Sequence, residues 1–592
     1  MSKRFLLSAC AALTTCLLTA GAAGAGTAKA AWPSLQTQLA QDRVPAGSPL
    51  AKLIADNQDF QLLRPEEAYD KVAAPPWLRV LWHKEHPEMR SVPGDASGGY
   101  PLVLKEVYEW MVSHPDLRPG SPGRGEALEK KKPTGPHPVP GPDFNISGTQ
   151  SSARSESDIR VNFWDPSHIV GASNNLHGGG SLAISYSTDG GFSWKQTVLP
   201  RDITESFQSD PAVDWTSDGT AWATTISVNT STSPIQLFLR SFKSTDGGAT
   251  WKKDSTISSA DQSQADKQMM WVDHSEQSPY KDTIHVIWHD GRAVFVSHHT
   301  PGGGWSDPLQ ISRGETTGTG IGSDIKTDAL GGVYAFWPDT GSRKIYFAKS
   351  ADGGQSFSSP VLVSPTFQSF DTGLPAQASR GALLYVTGGV WISGKNVNVY
   401  AAWTDLVGGK GCSTPFDDPR DNVNSACKTR VWFAKSTNGG TKWTRAKAIN
   451  NPAGKNDQFN PWLAVDESTG LLGIMYYDSV GGPRTSVNVF FQSSANGGTT
   501  WSSPARVSSA SSDDADFYDP NQYGDYNSLS AAAGTFFPSW TDRRDSSGKE
   551  EVWSAPITIQ AKSCESLDSS GGRGLKIFIE GIEDLFANSC AP

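Results

Sequence analysis

Ser187-Thr188-Asp189-Gly190-Gly191-Phe192-Ser193-Trp194 is the stretch that decides the fold, because the same phrase returns four more times. The later copies start at Ser244, Ser350, Ser436 and Ser494, and close on Trp251, Phe357, Trp443 and Trp501. The shared pattern is S-x-[DN]-G-G-x-x-[WF]. From Asp189 to Asp246 is 57 residues, and from Asn438 to Asn496 is 58. Asp246 to Asp352 is 106, about two such periods, and His299 to Trp305 between them reads as a degenerate copy. Asp352 to Asn438 is 86, so that unit carries an insertion, which holds Cys412 and Cys427. Self-similarity at a fixed period signals a repeat architecture.

Each copy has a physical reading. Asp-Gly-Gly or Asn-Gly-Gly between two strand-like runs is a hairpin turn. The glycines supply positive φ and the Asp or Asn side chain bonds the turn's own backbone. The closing aromatic folds back between neighbouring sheets. These aspartates therefore read as scaffold.

The phrase resembles the Asp-box of the sialidase-like β-propellers, over roughly residues 150–560. The resemblance implies an all-β ring of blades. That superfamily holds exo-sialidases, other glycosidases, polysaccharide lyases and binding propellers, so the fold leaves function open. Counting units gives seven blades. The sialidases of the superfamily have six, so six stays open and the count weighs against simple transfer of activity. The innermost strands are expected to start near Asp158, Asp210, Asp266, Asp324, Gly381, Asn460 and Tyr526. Second strands end in aromatic-x-Asp, as in Trp288-His289-Asp290 and Trp403-Thr404-Asp405, a recurrence that marks these aspartates as structural. The last unit has three strands, and a fourth from Phe144–Ser152 would close the ring and remove free sheet edges.

Composition agrees. The 592 residues include 59 Gly and 21 Trp with only 19% charged, which suits a large all-β domain. The net charge of −10 argues against a nucleic-acid partner. Residues 1–30 read as a secretory signal, with Lys3 and Arg4 before the apolar Phe5–Leu18 and small-residue sites near Ala25 and Ala30. Leu7-Ser8-Ala9-Cys10 resembles a lipoprotein box but precedes the end of the apolar run. No later stretch is apolar enough to span a membrane. The expectation is a secreted or periplasmic monomer. Removal of the signal leaves Cys412, Cys427, Cys564 and Cys590, which suggests two disulfides paired by proximity, 412–427 and 564–590. Residues 31–117 carry helix-like spacing, best in Leu104–Val112. Residues 118–143 are a Pro/Gly-rich linker, 144–560 the propeller, and 561–592 a tail pinned by the second disulfide.

Ligands of propellers bind at the central mouth, so polar residues at inner-strand starts are the candidates. They are Asp158 and Arg160, Gln208 and Asp210, Asp266 and Lys267, Asp324, Asp457 and Gln458, and Asp525 and Tyr526. Carboxylates converging on one cavity raise some pKa values and prepare a general acid. Satisfying strand ends and channel water is the blander role for the same residues. Two positions resemble sialidase motifs. Arg160 in Asp158-Ile159-Arg160-Val161-Asn162 resembles the arginine of [FY]-R-I-P that holds a substrate carboxylate, although the proline is missing. Tyr526-Asn527-Ser528-Leu529 resembles the tyrosine nucleophile motif, with Asn527 intervening. The resemblance then implies Asp210 or Asp266 as acid/base, with Gln208 and Asp525 against substrate. Arg313, Arg380 and Arg430 are further arginines by position only, and Glu315 a partner carboxylate.

Three other readings stand beside this one. A polysaccharide lyase would use His289, Arg292, His298 and His299 of the third unit. A non-catalytic propeller would bind a glycan or protein at its mouth. Asp513, Asp514, Asp516 and Asp519 offer hard oxygens suited to a structural Ca²⁺, as do Asp417, Asp418 and Asp421, although a solvated acidic loop has the same composition. No cofactor is required by any reading. The expected partner is an extracellular glycan or glycoprotein.

Overall fold

The computed structural model describes residues 137–560, apart from 150–151, 177–179, 230, 232–235, 260–261, 263, 369, 408–411, 413–425, 453, 481–483, 515–521 and 545–548. The signal, the helix-like region, most of the linker, the tail and Cys564 and Cys590 lie outside the described residues.

Seven antiparallel sheets form the blades of a β-propeller. Blade 1 comprises Arg154–Val161, Ile169–Asn175, Ala183–Ser187 and Lys195–Val198. Blade 2 comprises Phe207–Trp215, Ala221–Asn229, Gln236–Ser244 and Lys252–Thr256, and blade 3 Ala265–Val272, Ile284–Asp290, Ala293–His299 and Leu309–Gln310. Blade 4 is Asp324–Thr327, Val333–Asp339, Lys344–Ser350 and Val361–Pro365, and blade 5 Val386–Ser393, Asn396–Val407, Lys428–Ser436 and Lys447–Ala448. Blade 6 is Gln458–Val465, Leu472–Val480, Ser486–Ser494 and Ala505–Arg506. Blade 7 is Ser528–Ala532, Thr535–Asp542 and Glu551–Ser554, completed by Phe144–Asn145. Phe144 pairs with Ser554 and Asn145 with Trp553, so the expected closing strand is present. The first strands of successive blades touch around the ring, and that of blade 7 touches that of blade 1.

The repeated turn is built as its sequence suggests. In blade 1, Ser187 Oγ donates to Asp189 Oδ1 at 2.8 Å and accepts from the Gly191 amide at 2.9 Å. The Ser193 amide donates to Asp189 Oδ1 at 2.9 Å, and Trp194 Nε1 to the Gly191 carbonyl at 3.0 Å. Asp246 and Asp352 repeat the pattern. The second glycine is required: at Gly440, φ is 88°, and a Cβ would meet the Phe347 ring at 2.1 Å. Trp443 stands edge-on to the same Phe347 ring at 5.6 Å, closing the seam between blades.

Carboxylates on the inner strands stitch neighbouring blades. Asp158 Oδ2 accepts the Val213 amide, Asp214 Oδ2 the Val272 amide and Asp324 Oδ2 the Gly388 amide, at 2.7–2.8 Å. The aromatic-x-Asp aspartates act similarly: Asp339 takes the Thr317 and Gly318 amides, and Asp405 those of Phe367 and Gln368.

Four inner strands carry a β-bulge near their start, and each bulge holds a non-glycine residue at positive φ: Glu156 (54°), Asp210 (55°), Lys267 (49°) and Asn460 (45°). A bulge re-aims side chains and stores strain where function tends to sit.

The expectation at Gly381 is corrected. The fifth inner strand begins at Val386, and Gly381 lies in a hairpin, Asp371–Leu374 with Gln377–Leu383, inserted before it. The glycine's positive φ of 79° belongs to that hairpin, which alternation alone does not separate from a blade strand. Cys412 and Cys427 form the expected disulfide, packed with Leu406 and Phe367.

Candidate functional site

The ring encloses a channel whose two ends differ. At the start end, where inner strands begin, the bulged residues meet the inserted hairpin. Arg380 of the hairpin donates through Nη2 to Glu156 Oε1 at 2.7 Å and through Nε to Asp525 Oδ1. The Asp525 amide donates to the same Glu156 oxygen at 3.1 Å, and Tyr385 Oη to Asp525 Oδ2 at 3.3 Å. Asn174 Nδ2 supplies Glu156 Oε2 at 2.6 Å. Lys267 Nζ lies 3.3 Å from the centroid of the Tyr526 ring and also faces Tyr385 and Trp462, at 5.2 and 5.9 Å. Asp210 accepts from Ser209 Oγ at 2.7 Å. All these groups are buried. Tyr526 Oη and Asp266 Oδ2 have no hydrogen-bond partner among the described residues.

Burial sets the electrostatics here. It pushes the Glu156 carboxyl up to about 8 against the pull of Arg380, with Asp525 and Asp210 adding repulsion. Burial also raises Asp210, and raises Asp266 well above the carboxylate range with Asp210 as the nearest repelling charge. It raises the Tyr526 hydroxyl well above the usual value and lowers the Lys267 ammonium.

At the far end, where inner strands finish, a pocket opens between Arg160, Trp271, His274, Lys326, Trp462 and Glu467. Arg160 Nη1 is fully engaged, donating to Asp158 Oδ1 (2.9 Å), the Ile159 carbonyl (2.6 Å) and Ser528 Oγ (2.9 Å). Its Nε and Nη2 are buried with no partner among the described residues. The guanidinium carbon stands 5.4 Å from the Trp271 ring centroid, and Lys326 Nζ 4.5 Å from the same ring. Lys326 is held by Asp324 Oδ1 at 2.5 Å. His274 spans the channel exit, Nε2 at 3.0 Å from Asp214 and Nδ1 at 3.0 Å from Glu467. Burial disfavours its charge, but the two carboxylates outweigh burial and hold it up to about 10, so it is a cation at neutral pH. Phe163 stacks on it at 5.6 Å.

The sequence candidates are thus divided. Tyr526, Asp210, Asp266 and Asp525 gather at the start end, while Arg160 lines the far pocket. Trp462 adjoins both groups: it lines the pocket and its ring lies 6.4 Å from that of Tyr526. Gln208 joins neither group, since it accepts the Leu182 amide and donates to the Pro200 carbonyl, tying blade 1 to blade 2. Asp457 is bound by Arg484 and the Thr429 amide. Arg313 and Glu315 meet in a loop outside the inner ring, and Arg430 binds the Thr429 and Asn456 carbonyls. His289 lies on the second strand of blade 3, in register with Asp266 of the inner strand, and His298 and His299 lie on the third strand. Asp513 accepts from Ser486 Oγ and Asp514 from Arg543, while Asp516, Asp519, Asp417, Asp418 and Asp421 lie outside the described residues. Among the described residues no group of three His, Cys, Asp or Glu is placed to hold a metal ion.

Sequence reading missed Glu156, Lys326, His274 and Trp271. A usable signal existed for the bulges: Gln208-Ser209-Asp210-Pro211 and Gln458-Phe459-Asn460-Pro461 share Q-x-[DN]-P.

No family model matches the chain, and no curated protein matches it. Among solved structures it is similar to a protein of unknown function from Dyadobacter fermentans, at 11% identity over 72% of this chain and 100% of that one, with a TM-score of 0.40. It is similar to the intramolecular trans-sialidase from Ruminococcus gnavus, at 12% identity over 56% of this chain and 91% of that one, TM-score 0.37. It is also similar to an ulvan lyase of polysaccharide lyase family 25, at 12% identity over 60% and 83%, TM-score 0.32. Among the described residues no helix is long and apolar enough to cross a membrane. By its own blade count, strand order and repeated turn, the chain is a β-propeller with seven blades.

Proposed function

We propose that this propeller binds an acidic extracellular glycan at the far end of its channel, with Arg160 gripping a carboxylate or sulfate of the sugar. The observation that carries this reading is the pair of buried donors on Arg160, Nε and Nη2, partnerless among the described residues, in a pocket that Trp271 and Trp462 also line. An unpaired buried guanidinium edge is costly, and a bidentate anion satisfies it. Indole faces give a sugar ring an apolar platform, and a few placed polar groups fix its orientation.

A second reading is glycoside hydrolysis at the start end, with Tyr526 as nucleophile and Asp210 or Asp266 as acid/base. Its support is the set of protonation-poised carboxyls around a buried tyrosine. Against it stands the lining of the Arg160 pocket, which includes Trp462 but not Tyr526.

One experiment separates the two. Binding of sialylated, uronate and sulfated oligosaccharides is measured by calorimetry beside hydrolysis of a fluorogenic sialoside, for the natural protein, Arg160→Gln and Tyr526→Phe. The binding reading expects acidic sugars to bind, Arg160→Gln to lose that binding and Tyr526→Phe to keep it, with no turnover. Turnover that disappears in Tyr526→Phe would establish the hydrolase. Absence of binding to every acidic sugar removes the first reading.

A further inference from the structure

We propose that the start end of the channel is a receptor for an organic cation, and that Arg380 on the hairpin Asp371–Leu383 occupies it as an internal ligand. The site lies opposite the Arg160 pocket and does not depend on what binds there. Four buried carboxyls, Glu156, Asp210, Asp266 and Asp525, surround it. The blades themselves supply one cation, Lys267, and its ammonium faces the rings of Tyr526, Tyr385 and Trp462. The remaining charge is met by Arg380, through Glu156 and Asp525.

The unsatisfied atoms point the same way. Asn460 and Gln377 both donate their amide hydrogens to the Gly524 carbonyl, at 3.2 and 2.6 Å. Their side-chain oxygens, with Asp266 Oδ2 and Tyr526 Oη, are buried and partnerless among the described residues. Every one of these four can accept a hydrogen bond. Buried acceptors are normally paired, so these four call for donors beyond those that Arg380 gives to Glu156 and Asp525. A guanidinium offers five donors in a fixed fork. Among the described residues no group of three His, Cys, Asp or Glu side chains is placed to hold a metal ion.

The hairpin is tied to the ring by packing and by side-chain bonds rather than by a shared ladder, with Leu374, Ala376, Ala382 and Leu383 in the ring's apolar core. Its two strands pair only with each other and join no blade's ladder. Its polar ties to the ring include the Arg380 pairs, the Gln377 bond and the Arg380 amide to Gln522 Oε1. Displacing it leaves every blade's ladder intact but withdraws Leu374, Ala376, Ala382 and Leu383 from the apolar core, and an external cation can then take the position of the Arg380 guanidinium.

The test uses Arg380→Ala, which empties the position. Methylguanidinium is titrated against the variant and the natural protein, with thermal midpoint as readout and NaCl at equal ionic strength as control. The expected result is saturable stabilisation of the variant by methylguanidinium, at a half-saturating concentration at least tenfold below that of the natural protein, whose own arginine competes. Glucosamine and N-acetylglucosamine form two further arms. A glucosamine response equal to or above that of methylguanidinium identifies an amino-sugar ammonium as the preferred source of charge, and an equal response to neutral N-acetylglucosamine overturns the proposal. So does methylguanidinium acting no better than NaCl. Should Arg380→Ala fail to fold, amide hydrogen exchange on the natural protein decides: residues 372–383 exchange faster in methylguanidinium than in NaCl if the hairpin is displaced, and equal protection overturns the proposal.

Discussion

The two ends of the channel use the same backbone to opposite ends. At the start, bulges turn Glu156, Asp210 and Lys267 inward and a hairpin seals them, so acidic groups are crowded and partly neutralised by protonation. At the finish, the strands are regular, the carboxylates Asp158, Asp214 and Asp324 are bound to neighbouring blades, and the cations Arg160, His274 and Lys326 face an open pocket. The difference teaches that carboxylate position in a propeller is not a functional label. An aspartate that accepts the next blade's amide is mortar, and one displaced by a bulge is available for chemistry.

The largest expected effect comes from removing the carboxylate that stands between the two ends. Asp158→Ala leaves Arg160 buried without its ion partner and frees the Val213 amide and Ser528 Oγ. Breaking a buried pair on one side costs about 3–5 kcal/mol, read as a drop in urea-unfolding free energy. A loss under about 1 kcal/mol would show that the stitching role is dispensable. Next is Arg160→Gln, where loss of charge-assisted hydrogen bonds of about 1.5–3 kcal/mol predicts roughly a ten- to hundredfold weaker affinity for an acidic sugar in calorimetry. The Lys267→Met change at the opposite end is expected to leave that affinity within about twofold.

The pH dependence distinguishes the ends by their windows. Glu156 has a raised value when folded, about 8 against an ordinary 4.5, so the folded state binds the extra proton and this carboxyl's contribution falls as pH rises from 4.5 to 8. His274 is also raised, to about 10 against 6.5, so its contribution is full below 6.5 and is lost as pH climbs from there through 10. Each slope is at most about 1.4 kcal/mol per pH unit. Glu156→Gln is expected to flatten unfolding free energy below pH 8, and His274→Gln to flatten it above 6.5. Identical profiles for the two variants would erase the distinction. The smallest effect is Glu467→Gln, whose carboxylate is 24% exposed. It should cost under about 1 kcal/mol and move the alkaline limb to lower pH, because His274 keeps only Asp214.

The ring was legible because its information is local and repeated. Five copies of one turn fix the hairpins, and the short last unit exposes the need for Phe144–Asn145. The channel was only half legible. Tyr526, Asp210, Asp266 and Asp525 stand out as polar residues at strand starts and do assemble. Glu156 does not, because its bulge breaks the alternation by which a strand residue is assigned to a face. Arg380 was visible only by position, since a hairpin inserted between blades follows no period. His274 and Lys326 stand near strand ends, where nothing in the spacing distinguishes a channel-facing residue from a loop residue.

The strand Phe144–Asn145 carries a consequence for how the molecule is made. It emerges from synthesis before blade 1, yet its partner Glu551–Ser554 emerges only after blades 1 to 6. Until then the nascent ring is an open arc with two raw edges, one held by residues made before blade 1 and one by residues made after blade 6. Non-local pairing of this length is slow to form and its exposed edges invite wrong partners. A chain released short of residue 551 would therefore keep both edges bare, and the clasp makes the finished circle a checkpoint on the arrival of its final blade.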